Sequence, residues 1–390
     1  MSTESHKLCM IPGPVEFHED VLGAMSTPAT SHVDPGFIQT FGEVLEGLRR
    51  VVATKDGQPF VVSGSGTLSW DLAVCNVIEA GDRVLVVNTG LFGDRMAECL
   101  EVFGAVVTTV RADRLGQAPN ASAVGEVLAA AAREGRPYKM ITITHVDTST
   151  GVLADVQGIA TVARNASPGT LVAVDGVCSI AAEELYMDDW GIDVIMTASQ
   201  KALGTPPGLA IIVVSQRTLD AWRNRKSKVI GYFAAWSKWL PVMQAYEERR
   251  PLYFATPAVQ LIMALRVGIQ QLLDRGMDAV FQAHHQASAE FKAYITDSLG
   301  LTLLPVTDDV AAHSMTAIYY PEGVKATDLL PRLTEHGVVV AGGLHPDLAT
   351  RYFRVGHMGL TVLEPQRRYL ETTKDALGTS LAEAGYKPSA

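Results

Sequence analysis

The sequence predicts an α/β protein in two units: a large, mostly parallel sheet covered by helices, then a smaller α+β unit. Three observations carry this expectation. Apolar runs of strand length alternate with helix-like stretches between residues 59 and 214. Hydrophobic residues make up 47% of the chain and charged residues 19%, which supplies a large core. The 390 residues exceed what one ordinary core organises.

The elements follow in order. The first residues form a polar arm, and Ile11-Pro12-Gly13-Pro14 comes next. Two prolines exclude a regular helix or central strand, so an extended segment is expected there. Phe60-Val61-Val62 reads as a strand that runs into Ser63-Gly64-Ser65-Gly66-Thr67. Residues 68–78 carry helical apolar spacing. Strands are expected at 83–88, 105–110, 139–144, 170–174, 194–197 and 209–214. Helices are expected at 94–103, at alanine-rich 121–134 and at 156–165. Continuous apolar strands between helices indicate a sheet buried on both faces. A long helix from Val259 to about Arg275 would link the two units. Strands at 301–304, 315–320 and 338–341 complete the smaller one.

Charge and special residues exclude several classes. The net charge of −10 argues against broad nucleic-acid binding. The cysteines Cys9, Cys75, Cys99 and Cys178 form no C-x-x-C pair and no zinc spacing. His357 has no metal-spaced partner, and the neighbours His284 and His285 cannot both face one ion, so no metal site is assigned. No apolar run reaches membrane-span length. The first ten residues lack the pattern of a secretion signal, and Lys387-Pro388-Ser389-Ala390 is not an S-K-L ending. Cytosol is the expected compartment, with the peroxisome the alternative.

Five segments bear chemistry. Ser199-Gln200-Lys201 follows a strand-like run and precedes a Gly/Pro-rich turn. A lysine at a strand's carboxyl end can sit in the crevice where α/β proteins bind ligands. Partial desolvation there frees its proton and makes it a nucleophile. Asp175 ends another apolar strand facing the same crevice, where its carboxylate could pair with a cationic ring nitrogen. Gly64-Ser65-Gly66-Thr67 sits at a strand-to-helix junction, where free N–H groups and the helix dipole suit a phosphate. Thr144 to Gly151 places short polar groups at another strand end. Arg354, between apolar residues, could offer its planar fork to a carboxylate. Taken singly, each has a plainer reading: a surface lysine, a capping aspartate, a tight turn, a capped loop, an interface ion pair.

Together and in this order, these segments resemble the class V aminotransferases, enzymes of pyridoxal 5'-phosphate (PLP) with fold type I. Ser-Gln-Lys-Ala with a following Pro-Gly carries most of the resemblance, which spans residues 8–375. The match is nearest to the alanine–glyoxylate and serine–pyruvate group, and within it to the fungal alanine–glyoxylate enzymes. It implies a seven-stranded large sheet. It also implies an arm at 1–20 crossing a partner subunit, a large PLP domain at 21–275 and a small domain at 276–390. Lys201 would hold the cofactor and then shuttle the substrate's Cα proton. Asp175 would meet the pyridine nitrogen. Gly66, Thr67 and Gln200 would hold the phosphate, Phe92 would stack on the ring, and Thr148 would contact its hydroxyl side. Arg354 would bind the substrate carboxylate, with Gly13 nearby. Tyr253 and Thr256 would reach the phosphate of the neighbouring subunit, which implies a homodimer with shared sites.

The resemblance further implies a ping-pong transfer between small amino acids and 2-oxo acids, from L-alanine or L-serine to glyoxylate. A single assigned arginine favours monocarboxylates. Thr67 stands where animal members have histidine. Serine–glyoxylate, ureidoglycine–glyoxylate and aminoethylphosphonate transaminases stay open as alternatives. A cysteine desulfurase is less favoured, because Gln200 replaces the histidine usual before that lysine and no loop nucleophile is evident. A nicotinamide dehydrogenase is disfavoured, because Ser69 stands where the third glycine of its turn belongs.

Overall fold

A computed structural model describes residues 6–388. Its centre is a seven-stranded sheet in the order Gln58–Ser63, Leu209–Val214, Val194–Ala198, Leu171–Asp175, Met140–Thr144, Arg83–Asn88, Val106–Arg111. Only Leu209–Val214 runs against the others. Ser63, Asn88, Thr144, Asp175 and Ala198 therefore all end at one edge of the sheet. The central strands are buried along their length, as their mainly apolar content requires.

The helices depart from expectation in several regions, among them Gln216–Arg223, Trp236–Glu247, Ala326–Glu335 and Tyr369–Glu383, where none was expected. The helix after Asn88 starts earlier than predicted, at Leu91–Val102, because Asp147 from a distant loop binds its first N–H groups. A long helix, Pro35–Val51, was not predicted. Asp34 caps it through the N–H groups of Gly36 and Phe37, with Pro35 in the first turn. That start signal was present in the sequence.

The chain after the linking helix Val259–Arg275 builds a second hydrophobic cluster. It contains an antiparallel sheet ordered Met315–Tyr319, Tyr352–Gly356, Ala341–Gly342. Helices Ala326–Glu335 and Tyr369–Glu383 pack with it. Residues 301–304 do not form the expected strand; one isolated bridge joins Leu303 to Ile318. The expected strand at 338–341 divides into Val338–Val339 and Ala341–Gly342, which belong to different sheets.

The expected arm also behaves differently over its described part. Leu8–Cys9 pairs in parallel with Val338–Val339 of the same chain, and Leu8 and Met10 lie in the second core. Residues 11–14 turn instead of extending: Gly13 N–H donates to the Ile11 carbonyl at 2.7 Å, and the Gly13–Pro14 bond is cis. The turn returns the chain to the carboxyl edge of the large sheet. Residues 1–5 of the arm lie outside the described residues. Among the described residues, no helix is long and apolar enough to cross a membrane.

Candidate active site

Lys201 lies three residues beyond the end of Val194–Ala198 and is 7% exposed. Its Nζ donates to the Pro12 carbonyl. Burial pushes its ammonium pKa below the ordinary lysine range, and the Arg354 charge adds to this, against the opposing effects of Cys178 and Asp175. Gly13 has φ +88°, and a Cβ there would sit 2.4 Å from Lys201 Cδ. Only glycine allows the backbone to lie so close to the lysine stem.

Asp175 ends the adjacent strand Leu171–Asp175 and pairs in register with Met196. Lys201 and Asp175 line one cavity of about 240 Å³. Burial raises the Asp175 pKa to about 7, against the Val177 N–H that donates to Oδ1 at 3.1 Å; the Asp147 charge adds to the rise. At about 1.4 kcal/mol per pH unit, keeping this carboxylate ionised in the protein alone costs roughly 4 kcal/mol. The Trp70 indole N–H also acts on this carboxylate and lowers its pKa, without offsetting burial.

The turn before helix Gly66–Val77 supplies the opposite chemistry. Ser65 makes no side-chain cap, and the Gly66 and Thr67 N–H groups make no hydrogen bond among the described residues. An open helix N-terminus is an anion site. Gly66 is pressed against the sheet: a Cβ would lie 3.1 Å from Ala198 Cβ. Gln200 and Thr67 line the same cavity, and Gln200 Oε1 is buried without a partner.

Phe92 and Thr148 also line the cavity. Asp147, fully buried, accepts from Phe92 N–H at 3.0 Å and Ser149 N–H at 2.8 Å, and Arg354 holds the Thr148 carbonyl. This is the capped loop that the sequence offered as the plainer reading of 144–151. Trp70 also lines the cavity, meets Phe92 edge-on at 6.4 Å, and turns its buried indole N–H on the Asp175 carboxylate. Sequence reasoning missed it, although its place one turn after Gly66 puts both on one helix face. Cys178 lines the wall as well.

The remaining residues stand outside this lining. Arg354 is 9% exposed and is held by the Gly342 carbonyl (2.9 Å) and the Thr148 carbonyl (3.0 Å), with no carboxylate partner among the described residues. Tyr253 is 56% exposed, stacks on His32, and shares a 3.3 Å contact with Thr256 Oγ1. The fold does not bring Tyr253 and Thr256 into their own chain's cavity.

A family model described as aminotransferase class-V matches residues 9–358. The chain is 38% identical to alanine–glyoxylate aminotransferase 1 of Saccharomyces cerevisiae, over 97% of this chain and 99% of that one. It is 31% identical to L-aspartate–glyoxylate aminotransferase of Paracoccus denitrificans, covering 90% and 85% of the two chains. The crystal structure of an alanine–glyoxylate aminotransferase from Nostoc sp. superposes with a TM-score of 0.87 at 28% identity, covering 97% and 96%.

PLP offers an anionic phosphate, a ring nitrogen that can carry a proton, and a carbonyl carbon. The groups left unmet in the cavity are the matching ones: open N–H groups at the helix start, a carboxylate short of donors, and a buried amine. Sequence, fold and the unmet chemistry of this cavity agree that the chain belongs to the class V aminotransferases, a family of transaminases whose cofactor is pyridoxal 5'-phosphate.

Proposed function

We propose that the protein transfers the amino group of L-alanine or L-serine to glyoxylate, giving pyruvate or hydroxypyruvate and glycine. The observation that carries this reading is the single cavity lined by both Lys201 and Asp175. The likeness to the yeast alanine–glyoxylate enzyme over nearly both whole chains supports the choice of donor and acceptor.

Bound PLP supplies a carbonyl that takes up amino groups and a ring that draws electrons from the substrate's Cα. The chain's own residues supply the rest. Asp175 keeps a positive charge next to its carboxylate favourable, because its own ionisation in that buried place needs a counter-charge. Lys201, with a depressed pKa, becomes a free amine that takes the Cα proton of the donor and returns it at the other carbon. Gly66, Thr67 and Gln200 would hold the phosphate, Phe92 would cover the ring, and Thr148 would face its hydroxyl side. Arg354 binds the substrate carboxylate through guanidinium N–H groups not used by Gly342 and Thr148, with Gly13 beside the substrate. One such arginine suits monocarboxylates. The donor's 2-oxo acid leaves before glyoxylate enters.

The assembly in this proposal is a homodimer in which Tyr253 and Thr256 complete the partner's phosphate site. Their absence from the cavity of their own chain supports this, as do the exposed Ile230, Tyr232, Phe233 and Leu252 in the preceding segment. The proposed domains are 21–275 and 276–390; a second hydrophobic cluster built mainly from residues 291–381 supports the smaller one. Purified protein should turn over L-alanine with glyoxylate, absorb visible light when loaded with PLP, and elute as a dimer. Alanine turnover far below that with aspartate or ureidoglycine would remove the donor assignment.

A further inference from the structure

A second cluster of titratable groups lies away from the cofactor cavity. Glu183 is 2% exposed and sits in the loop that follows Asp175. His285 is on helix Met277–Ala293, and His313 lies two residues before the strand Met315–Tyr319 of the smaller unit. One donor atom from each of these three residues falls within 4.8 Å of the other two. The His285 and His313 rings stack with centroids 3.8 Å apart. All three line a cavity of about 560 Å³.

We propose that Glu183, His285 and His313 form a binding site for a divalent transition-metal ion of the zinc type. Two imidazoles and one carboxylate are the donor set of zinc and its neighbours, whereas magnesium and calcium prefer oxygen alone. A second observation points the same way. His145, 4% exposed, lines the same cavity, and its Nδ1 is buried without a hydrogen-bond partner. His145 stands outside the three converging donors, and its unpaired nitrogen leaves room for a water or an ion beside them.

The surroundings favour a cation. Asp155, Glu184 and Asp309 also line the cavity. Lys292, which feels the Glu183 charge, gives its Nζ to the Ala311 carbonyl at 3.0 Å. Glu183 is already oriented, because Oε1 accepts from the His313 and Ser314 N–H groups at 2.6 and 3.2 Å. His313 Nδ1 now meets Glu183 Oε2 at 2.6 Å. Tetrahedral zinc spaces its donors about 3.4 Å apart. Binding therefore opens this contact, and the half-buried His285 turns inward to close the remaining distance. A bound ion would tie the loop after Asp175 to the smaller unit.

The test is titration of the PLP-loaded enzyme with zinc chloride by calorimetry, with a zinc-edge anomalous map of a soaked crystal. The expected result is one ion per chain at these residues. His285→Phe keeps a ring stacked on His313 but removes a donor, and should weaken binding at least about tenfold. Transamination and the thermal midpoint without zinc should stay unchanged in that variant, which separates ligand loss from misfolding. His285→Ala should behave alike. No uptake, an anomalous peak elsewhere, or equal affinity in wild type and both variants would overturn the proposal.

Discussion

Two buried carboxylates flank one loop and behave in opposite ways. Asp175 and Glu183 are both almost fully removed from water. Burial raises Asp175 to about 7, whereas Glu183 falls to about 2 despite the same burial effect. The difference is the supply of donors. Asp175 accepts a hydrogen bond from Val177, and besides that only the Trp70 indole acts on it as a donor. Glu183 accepts three from residues 313 and 314 and also feels the charges of His313 and His145. Burial alone thus does not mark a reactive acid. A buried carboxylate that its own chain leaves underserved marks where a cationic ligand group belongs.

The comparison can be broken or sharpened by substitution. The largest effect is expected on the cofactor side. Lys201→Ala should lower turnover of L-alanine with glyoxylate by at least about a thousandfold and abolish the visible absorption of the loaded enzyme. Turnover within tenfold of wild type would end the role given to this amine.

Asp175→Asn comes next. It should reduce turnover by about a hundredfold or more while leaving the fold intact. Its effect on the cofactor-free protein has the opposite sign. An acid whose folded pKa lies near 7, above its ordinary 3.8, loses folded stability as pH rises between those values. Urea denaturation of the cofactor-free forms should show wild type losing stability relative to the variant from pH 4 to 7, and the gap should stop growing above that. A gap independent of pH would mean that Asp175 is not strained in the empty site.

Glu183→Gln should do the reverse of Asp175→Asn. Removing a well-served carboxylate should cost about 2 kcal/mol of stability, seen in the denaturation midpoint, with turnover nearly unchanged. Equal effects of the two changes on stability would erase the distinction drawn between them. The smallest effect is expected for Phe92→Ala. Loss of one aromatic face should weaken PLP retention by about 1 kcal/mol, roughly fivefold in a dialysis assay.

Legibility from sequence followed the range of the interaction. Gly66, Thr67, Asp175 and Lys201 were readable because each stands where a strand ends, and a turn or strand end is written in a few neighbouring residues. The helix at Pro35–Val51 was equally local, in Asp34-Pro35, and was overlooked. Trp70 fell between these cases: its helix face was readable, but its edge-on contact with Phe92 from another helix was not.

What the sequence determined by itself was the alternation of strands and helices, the edge of the sheet that bears the chemistry, and the amine and acid placed there. Apolar period and turn chemistry act over a few residues, so they survive without knowledge of packing. The tertiary structure decided the rest. It folded Leu8–Cys9 into its own chain's second unit, set Arg354 on two carbonyls, and gathered Glu183, His285 and His313 around one cavity. Those contacts join segments far apart in the chain. Nothing in their local spacing encodes them, because only the packing of whole elements brings such groups within bonding distance.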